Sequence, residues 1–203
     1  MSRKGRLIMV RHGQTPANVS GIWHGSTDTP LTELGHHQAG SLAAHFHQVM
    51  IPDVIYASPL QRAHNTAKAI ADAHNLSVNL DPRLAELCLG EWEGYHFEEI
   101  SKSHDPQGLL FKDPHFTPPR GESQLIVKKR IVAAIEEILE KHRDKNVVMV
   151  SHGVALGIAI AHYLHEDTTR WMEYHHENTA YTEFCPIDKK LVFFNKTDHY
   201  NRD

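Results

Sequence analysis

The chain has 203 residues, 40% of them hydrophobic and 23% charged, and a formal net charge of −4 with histidine neutral. That length suits one large domain, or a domain carrying a smaller insertion, with the balance of an ordinary soluble globule. The mildly acidic balance argues against a nucleic-acid surface built on bulk charge, and no apolar run approaches the roughly 20 residues needed to cross a bilayer.

The basic start Met1-Ser2-Arg3-Lys4-Gly5-Arg6 leads into an apolar stretch that stops at Arg11. That stretch is too short for a signal peptide and no small-residue cleavage site follows, so a cytoplasmic location is expected. Apolar, β-branched runs predict strands at Leu7–Val10, Val54–Ala57, Val147–Val150, Tyr181–Phe184 and Leu191–Phe194, with a weaker one at Ser77–Leu80. Helical periodicity predicts a first long helix from Thr32-Glu33-Leu34-Gly35 to about Val49. A second opens at Ser58-Pro59, a residue suited to a first helical turn, and runs to about His74. Glu122–His142 is a third, and Gly153–Leu164, apolar almost all round, a buried fourth. Strands alternating with helices imply a three-layer α/β/α sandwich on a largely parallel mixed sheet, its last two strands an antiparallel hairpin. One segment breaks the rhythm. Residues 88–121 are rich in glycine, proline and aromatics, and read as a cap over the sheet edge within a single domain 1–203, rather than as core.

Cys88 and Cys185 are the only cysteines and form no C-x-x-C pair, so a reduced pair is favoured over a disulfide. Most of the 18 histidines read as surface residues, and no H-E-x-x-H occurs. The adjacent pairs His36-His37 and His175-His176 are expected to point to different sides of a helix.

Two places carry chemistry. The strand Leu7–Val10 ends in Arg11-His12-Gly13, and Val147–Val150 ends in Ser151-His152-Gly153. Open α/β sheets bind ligands at the carboxyl edge of their strands. An arginine there offers a planar fork of donors suited to phosphate, and a histidine is a nucleophile near neutral pH. If the sheet is parallel at this point, both imidazoles face one crevice.

These residues, with others in order along the chain, resemble the histidine phosphatase superfamily, whose fold is phosphoglycerate-mutase-like. Arg11-His12-Gly13 with Thr15 and Asn18 matches its first motif, and Gly25, Asp28, Pro30-Leu31-Thr32 and Gly35 the loop and helix start that follow. Ser58-Pro59-Leu60-Gln61-Arg62-Ala63 with Thr66-Ala67 matches its second arginine motif. Arg83-Leu84, Glu86, Gly90, Trp92 and Glu93-Gly94 match its acid-bearing stretch, and Gly121-Glu122-Ser123 and Ser151-His152-Gly153 complete the set.

The resemblance implies a phosphatase acting on small phosphate monoesters, with phosphoglycerate mutase-type transfer or a non-catalytic phosphate-binding module as alternatives. His12 would attack phosphorus through a neutral ring nitrogen. Arg11, Arg62 and His152 would surround the equatorial oxygens, and Asn18 would add an amide donor. Helix starts after His152-Gly153 and near Gly25 would supply backbone N–H groups. Glu86 would be general acid and base, with Glu91 and Glu93 close by in sequence. His24 stands where many relatives carry glutamine and is expected to touch substrate. Asn178 matches a late asparagine of the phosphatase branch and reads equally as a turn asparagine. No metal or other cofactor is implied, since arginines take that place. The partner is a small phosphorylated metabolite, with no nucleic acid and no membrane; oligomeric state is left open. Trp92, Tyr95, Phe97 and Phe116 would wall the cap, with Lys102, Lys112 and Arg120 as candidate anion partners.

Overall fold

The computed structural model describes residues 5–185 and 188–200. The apolar runs become β1 (Arg6–Arg11), β2 (Val54–Ala57), β3 (Val78–Leu80), β4 (Asn146–Ser151), β5 (Tyr181–Cys185) and β6 (Lys190–Lys196). They form a six-stranded sheet in the order β3-β2-β4-β1-β5-β6. The first four of that order run parallel, β5 is antiparallel to β1, and β6 is antiparallel to β5. This is the mixed, largely parallel sheet expected.

Among the described residues the α-helices are α1 (Pro16–Ser20), α2 (Glu33–Val49), α3 (Gln61–Ala73), α4 (Phe97–Ser101), α5 (Gln124–Lys141) and α6 (Gly153–His165), and α2, α3, α5 and α6 pack on the sheet. Side chains alternate across a strand, so β1 and β4 feed two cores. Ile8, Val10, Val148 and Val150 pack with Phe46 of α2 and Ile70 of α3 on one face. Leu7, Met9, Val147 and Met149 pack with Ile131 and Ile135 of α5 and Leu156 of α6 on the other. α6 is small-residue-rich for a reason: a side chain at Gly157 would come within 2.6 Å of the Trp171 carbonyl. That closeness seats the tight helical turn Thr168–Tyr174 against α6.

The sequence-based boundaries need four corrections. α3 starts at Gln61 rather than at Ser58-Pro59, because the Gln61 N–H is capped from a distant loop by Asp28 Oδ1 at 2.8 Å. α5 starts at Gln124, capped by Ser123, since the Glu122 carboxylate is held by Arg130 instead. His175-His176 lies beyond the last helical turn and is not on a helix. Finally, the segment 88–121 is not apart from the core: Leu89, Trp92, Ile100 and Leu110 are buried in the cluster under α5 and α6.

Candidate active site

The register sets the site. Arg11 of β1 pairs with Ser151 of β4, so the two strands end together and the next residue of each is a histidine. The His12 N–H donates to the Ser151 carbonyl at 3.1 Å, and the two imidazole centroids lie 5.1 Å apart.

His12 is 4% exposed. Its Nδ1 lies 2.8 Å from the Gly13 carbonyl, which can only accept, so Nδ1 carries the proton and Nε2 keeps its lone pair. Burial first, then Arg11 and Arg62, hold its pKa well below the ordinary histidine value. The ring is neutral at pH 7. Gly13 serves space rather than flexibility: its φ is not positive, and a side chain there would meet the Gly35 carbonyl at 2.6 Å. Its N–H donates to Thr66 Oγ1 at 3.0 Å, tying the turn to α3.

His152 is fully buried and caps the start of α6. Its Nδ1 accepts from Arg62 Nε at 3.3 Å, which places the ring proton on Nε2. Burial, followed by Arg62, pushes its pKa well down as well. Arg62 also donates through Nη1 to the Thr27 carbonyl at 2.8 Å and through Nη2 to the Gly25 carbonyl at 2.7 Å. Gly25 therefore contributes a carbonyl that orients Arg62, and no helix starts there, contrary to the expectation of an N–H donor. A side chain at Gly25 would fall 2.0 Å from the Leu87 carbonyl, so the loop touches the Glu86 turn. Arg11 Nη1 donates to the His176 carbonyl at 2.5 Å. Among the described residues, Arg11 Nε and His152 Nε2 are buried without a partner. Each such orphan donor costs about 1–3 kcal/mol until an acceptor arrives.

Glu86 sits at the amino end of α6. Its Oε1 accepts from the Leu87 N–H at 2.8 Å and the Ala155 N–H at 2.9 Å, and its Oε2 from the Val154 N–H at 3.1 Å. Helix N–H groups expected on the phosphate thus go to Glu86, leaving that of Gly153 at the first helical position. Oε2 retains a lone pair toward the cleft, which Glu86 lines together with Arg11. The neighbouring carboxylates are otherwise employed. Glu93 accepts from the backbone of Ser26, Thr27 and Leu89, and Glu91 pairs with exposed Arg120.

Two residues outside the expected site hold it in place. Arg130 of α5 donates to the carbonyls of Arg83, Ala85 and Glu86 while paired with Glu122. In sequence it looks like any polar helix position, and no local pattern marks it. Asn178 Nδ2 donates to the His12 carbonyl and to Asn18 Oδ1, both at 3.1 Å. Asn18 Oδ1 also accepts from the Thr15 N–H, so its own amide hydrogens face the cleft. Asn178 thus ties the His12 backbone to Asn18, a contact that neither sequence reading specified.

The cleft beside Arg11 and Glu86 encloses about 390 Å³, and Asn18, His24, Gly153 and His175 line it. Its apolar wall is Trp23, Phe111 and Trp171, not the four aromatics expected. Trp92 is buried in the core with Phe116 packed on it, Phe97 backs Trp23 and Phe111, and Tyr95 is exposed beside a separate depression. Lys102, Lys112 and Arg120 do not line the cleft.

Comparison with known proteins agrees with this geometry. A putative phosphoserine phosphatase 2 of Hydrogenobacter thermophilus is 34% identical over 198 residues, covering 96% of this chain and 97% of that protein. A probable phosphoglycerate mutase of Yersinia enterocolitica is 35% identical over 158 residues, covering 77% and 73%. The crystal structure of a phosphoserine phosphatase from Entamoeba histolytica, in complex with 3-phosphoglyceric acid, superposes with a TM-score of 0.86 at 31% identity, covering 96% and 98%. The family model of the histidine phosphatase superfamily (branch 1) matches residues 7–197. With its paired strand-end histidines, two arginines and half-buried acid, the chain belongs to that superfamily.

Proposed function

We propose that this chain hydrolyses small phosphate monoesters through a phosphohistidine on His12. The observation that carries this reading is the pairing of a neutral His12, its Nε2 free, with the unpartnered buried donors Arg11 Nε and His152 Nε2. Nε2 attacks phosphorus and the bond from phosphorus to the ester oxygen breaks. Glu86 gives its proton to the departing alkoxide, then takes one from the water that cleaves the phosphorus–nitrogen bond and releases inorganic phosphate. Arg11, Arg62, His152, Asn18 and the Gly153 N–H hold the equatorial oxygens, where transition-state charge gathers. Positive side chains do this work, so the reaction needs no metal.

The family membership and the phosphatase relatives support hydrolysis. The likeness to a probable mutase keeps transfer between hydroxyls of a phosphoglycerate as the second reading. In this proposal residues 88–121 form the short cap of a single domain, and His24 contacts the substrate. No helix among the described residues is long and apolar enough to cross a membrane, and the proposed location is the cytoplasm.

The test is turnover of p-nitrophenyl phosphate without added metal, with EDTA present, wild type against His12→Ala. The expected outcome is turnover by the wild type alone and an acid-labile phosphoenzyme that the variant does not form. Equal rates between acid and neutral pH would sink the reading. Free phosphate, rather than isomerised phosphoglycerate dependent on a bisphosphate primer, separates hydrolysis from mutase transfer.

A further inference from the structure

The side of the cleft away from the phosphate donors differs in character from what the relatives' names suggest. A phosphoserine or phosphoglycerate substrate carries a second anionic group, which needs a cation or convergent donors when taken out of water. Among the described residues, Arg11 is the only lysine or arginine lining the cleft, and its Nη1 and buried Nε lie at the phosphate end. Away from it stands a continuous aromatic surface. Trp23 stacks on Phe111 at 6.1 Å and 28°, and Phe111 meets Trp171 edge-on at 5.3 Å and 85°. Two imidazoles complete the surround. His24 Nδ1 is buried without a partner among the described residues, and His175 is held below its ordinary pKa by loss of solvent and by Arg11. His175 therefore offers no fixed positive charge at neutral pH of the kind an arginine would.

Resting on the phosphatase reading above, we infer that this chain prefers monoesters of uncharged, planar, apolar alcohols, with the ring against Trp23, Phe111 and Trp171 and a neutral polar group of the alcohol on His24. A ring gains from area burial and from offset or edge-on packing with the aromatic wall. A carboxylate in the same place loses its hydration with no compensating charge. The side walls come from separate segments, so the preference belongs to this arrangement and not to the phosphate-binding motifs.

The experiment compares kcat/KM for benzyl phosphate, O-phosphoserine and 3-phosphoglycerate on the full chain. All are esters of unactivated aliphatic alcohols, so the intrinsic chemistry does not favour the benzyl ester. The expected result is a preference for benzyl phosphate of about tenfold or more over either anionic substrate, a difference of about 1.4 kcal/mol. Met172, at the rim and 52% exposed, allows the converse change with little risk to folding. Met172→Arg is expected to raise kcat/KM for 3-phosphoglycerate severalfold and narrow the ratio, whereas Phe111→Ala narrows it by lowering the benzyl rate. Phosphoserine or 3-phosphoglycerate turned over as well as benzyl phosphate, with p-nitrophenyl phosphate still hydrolysed, overturns this preference and leaves the phosphatase reading standing. Turnover of none of the substrates above His12→Ala overturns both.

Discussion

The catalytic floor of the proposed site and the wall of the cleft beside it are built by opposite means. The floor is made at two adjacent strand ends, where the parallel register of β1 and β4 alone brings His12 and His152 together. Three of its side chains are then oriented by backbone carbonyls: His12 by Gly13, Arg62 by Gly25 and Thr27, and Arg11 by His176. The wall is side chain on side chain, drawn from the loop at Trp23, the helical turn at Phe111 and the turn under α6 at Trp171. Rigid backbone suits a reaction that requires fixed donors around phosphorus, and apolar packing suits a surface that selects by fit. A change in the floor should therefore cost rate on every substrate. A change in the wall should alter which substrate is preferred.

The sharpest way to break this division is at Glu86. Glu86→Gln is expected to lower kcat for an alkyl phosphate by roughly 10²–10⁴-fold and for p-nitrophenyl phosphate much less, because a good leaving group needs little proton assistance. A uniform loss across leaving groups would mean that Glu86 acts by holding the start of α6 instead. Next in size, Arg62→Ala removes a proposed donor to phosphate and the tie between the Gly25 loop and His152. A loss of about 10²–10³-fold in kcat, equal for benzyl phosphate and phosphoserine, is expected in steady-state assays. A loss confined to one of them would place Arg62 in selection.

Asn178→Ala leaves the His12 carbonyl with the Thr179 N–H alone and frees the Asn18 amide. About 1 kcal/mol, or roughly fivefold, is expected, read mainly in kcat if Asn178 positions and mainly in KM if it binds. A separate prediction concerns stability rather than rate. His12, His152 and His176 are buried, and burial depresses the pKa of each, His176 to about 3. The unfolded chain therefore binds more protons below pH about 6.5, and the stability these groups confer above that value drains away as pH falls through it. Each contributes up to about 1.4 kcal/mol per pH unit in that window. Urea midpoints at pH 7.5, 6 and 5 should fall in order, and a flat profile would show that these rings titrate freely in the folded protein.

The catalytic face was readable before folding because its signals are local. A buried strand followed at once by Arg-His-Gly or Ser-His-Gly announces a polar group at a sheet edge, and the order of the remaining motifs names the family. The strand positions and the layered fold followed from periodicity for the same reason, with errors only at ends such as α3, where Asp28 caps from 33 residues away. Residues 88–121 were harder to read. Their glycines and prolines signal irregular backbone correctly, but irregular backbone can still bury Trp92 and Ile100 when α5 and α6 supply the other half of the core.

By itself, then, the sequence determined the members of the proposed site: which histidine is backed by which arginines, and which acid stands near them. The tertiary structure decided the supports and the wall. Arg130 reaches the Glu86 turn, Asn178 reaches His12, and Trp23, Phe111 and Trp171 meet only because distant segments pack. Hydrogen bonds to a neighbour in the chain leave a trace in local pattern, whereas burial is collective and exists only once the partners have assembled.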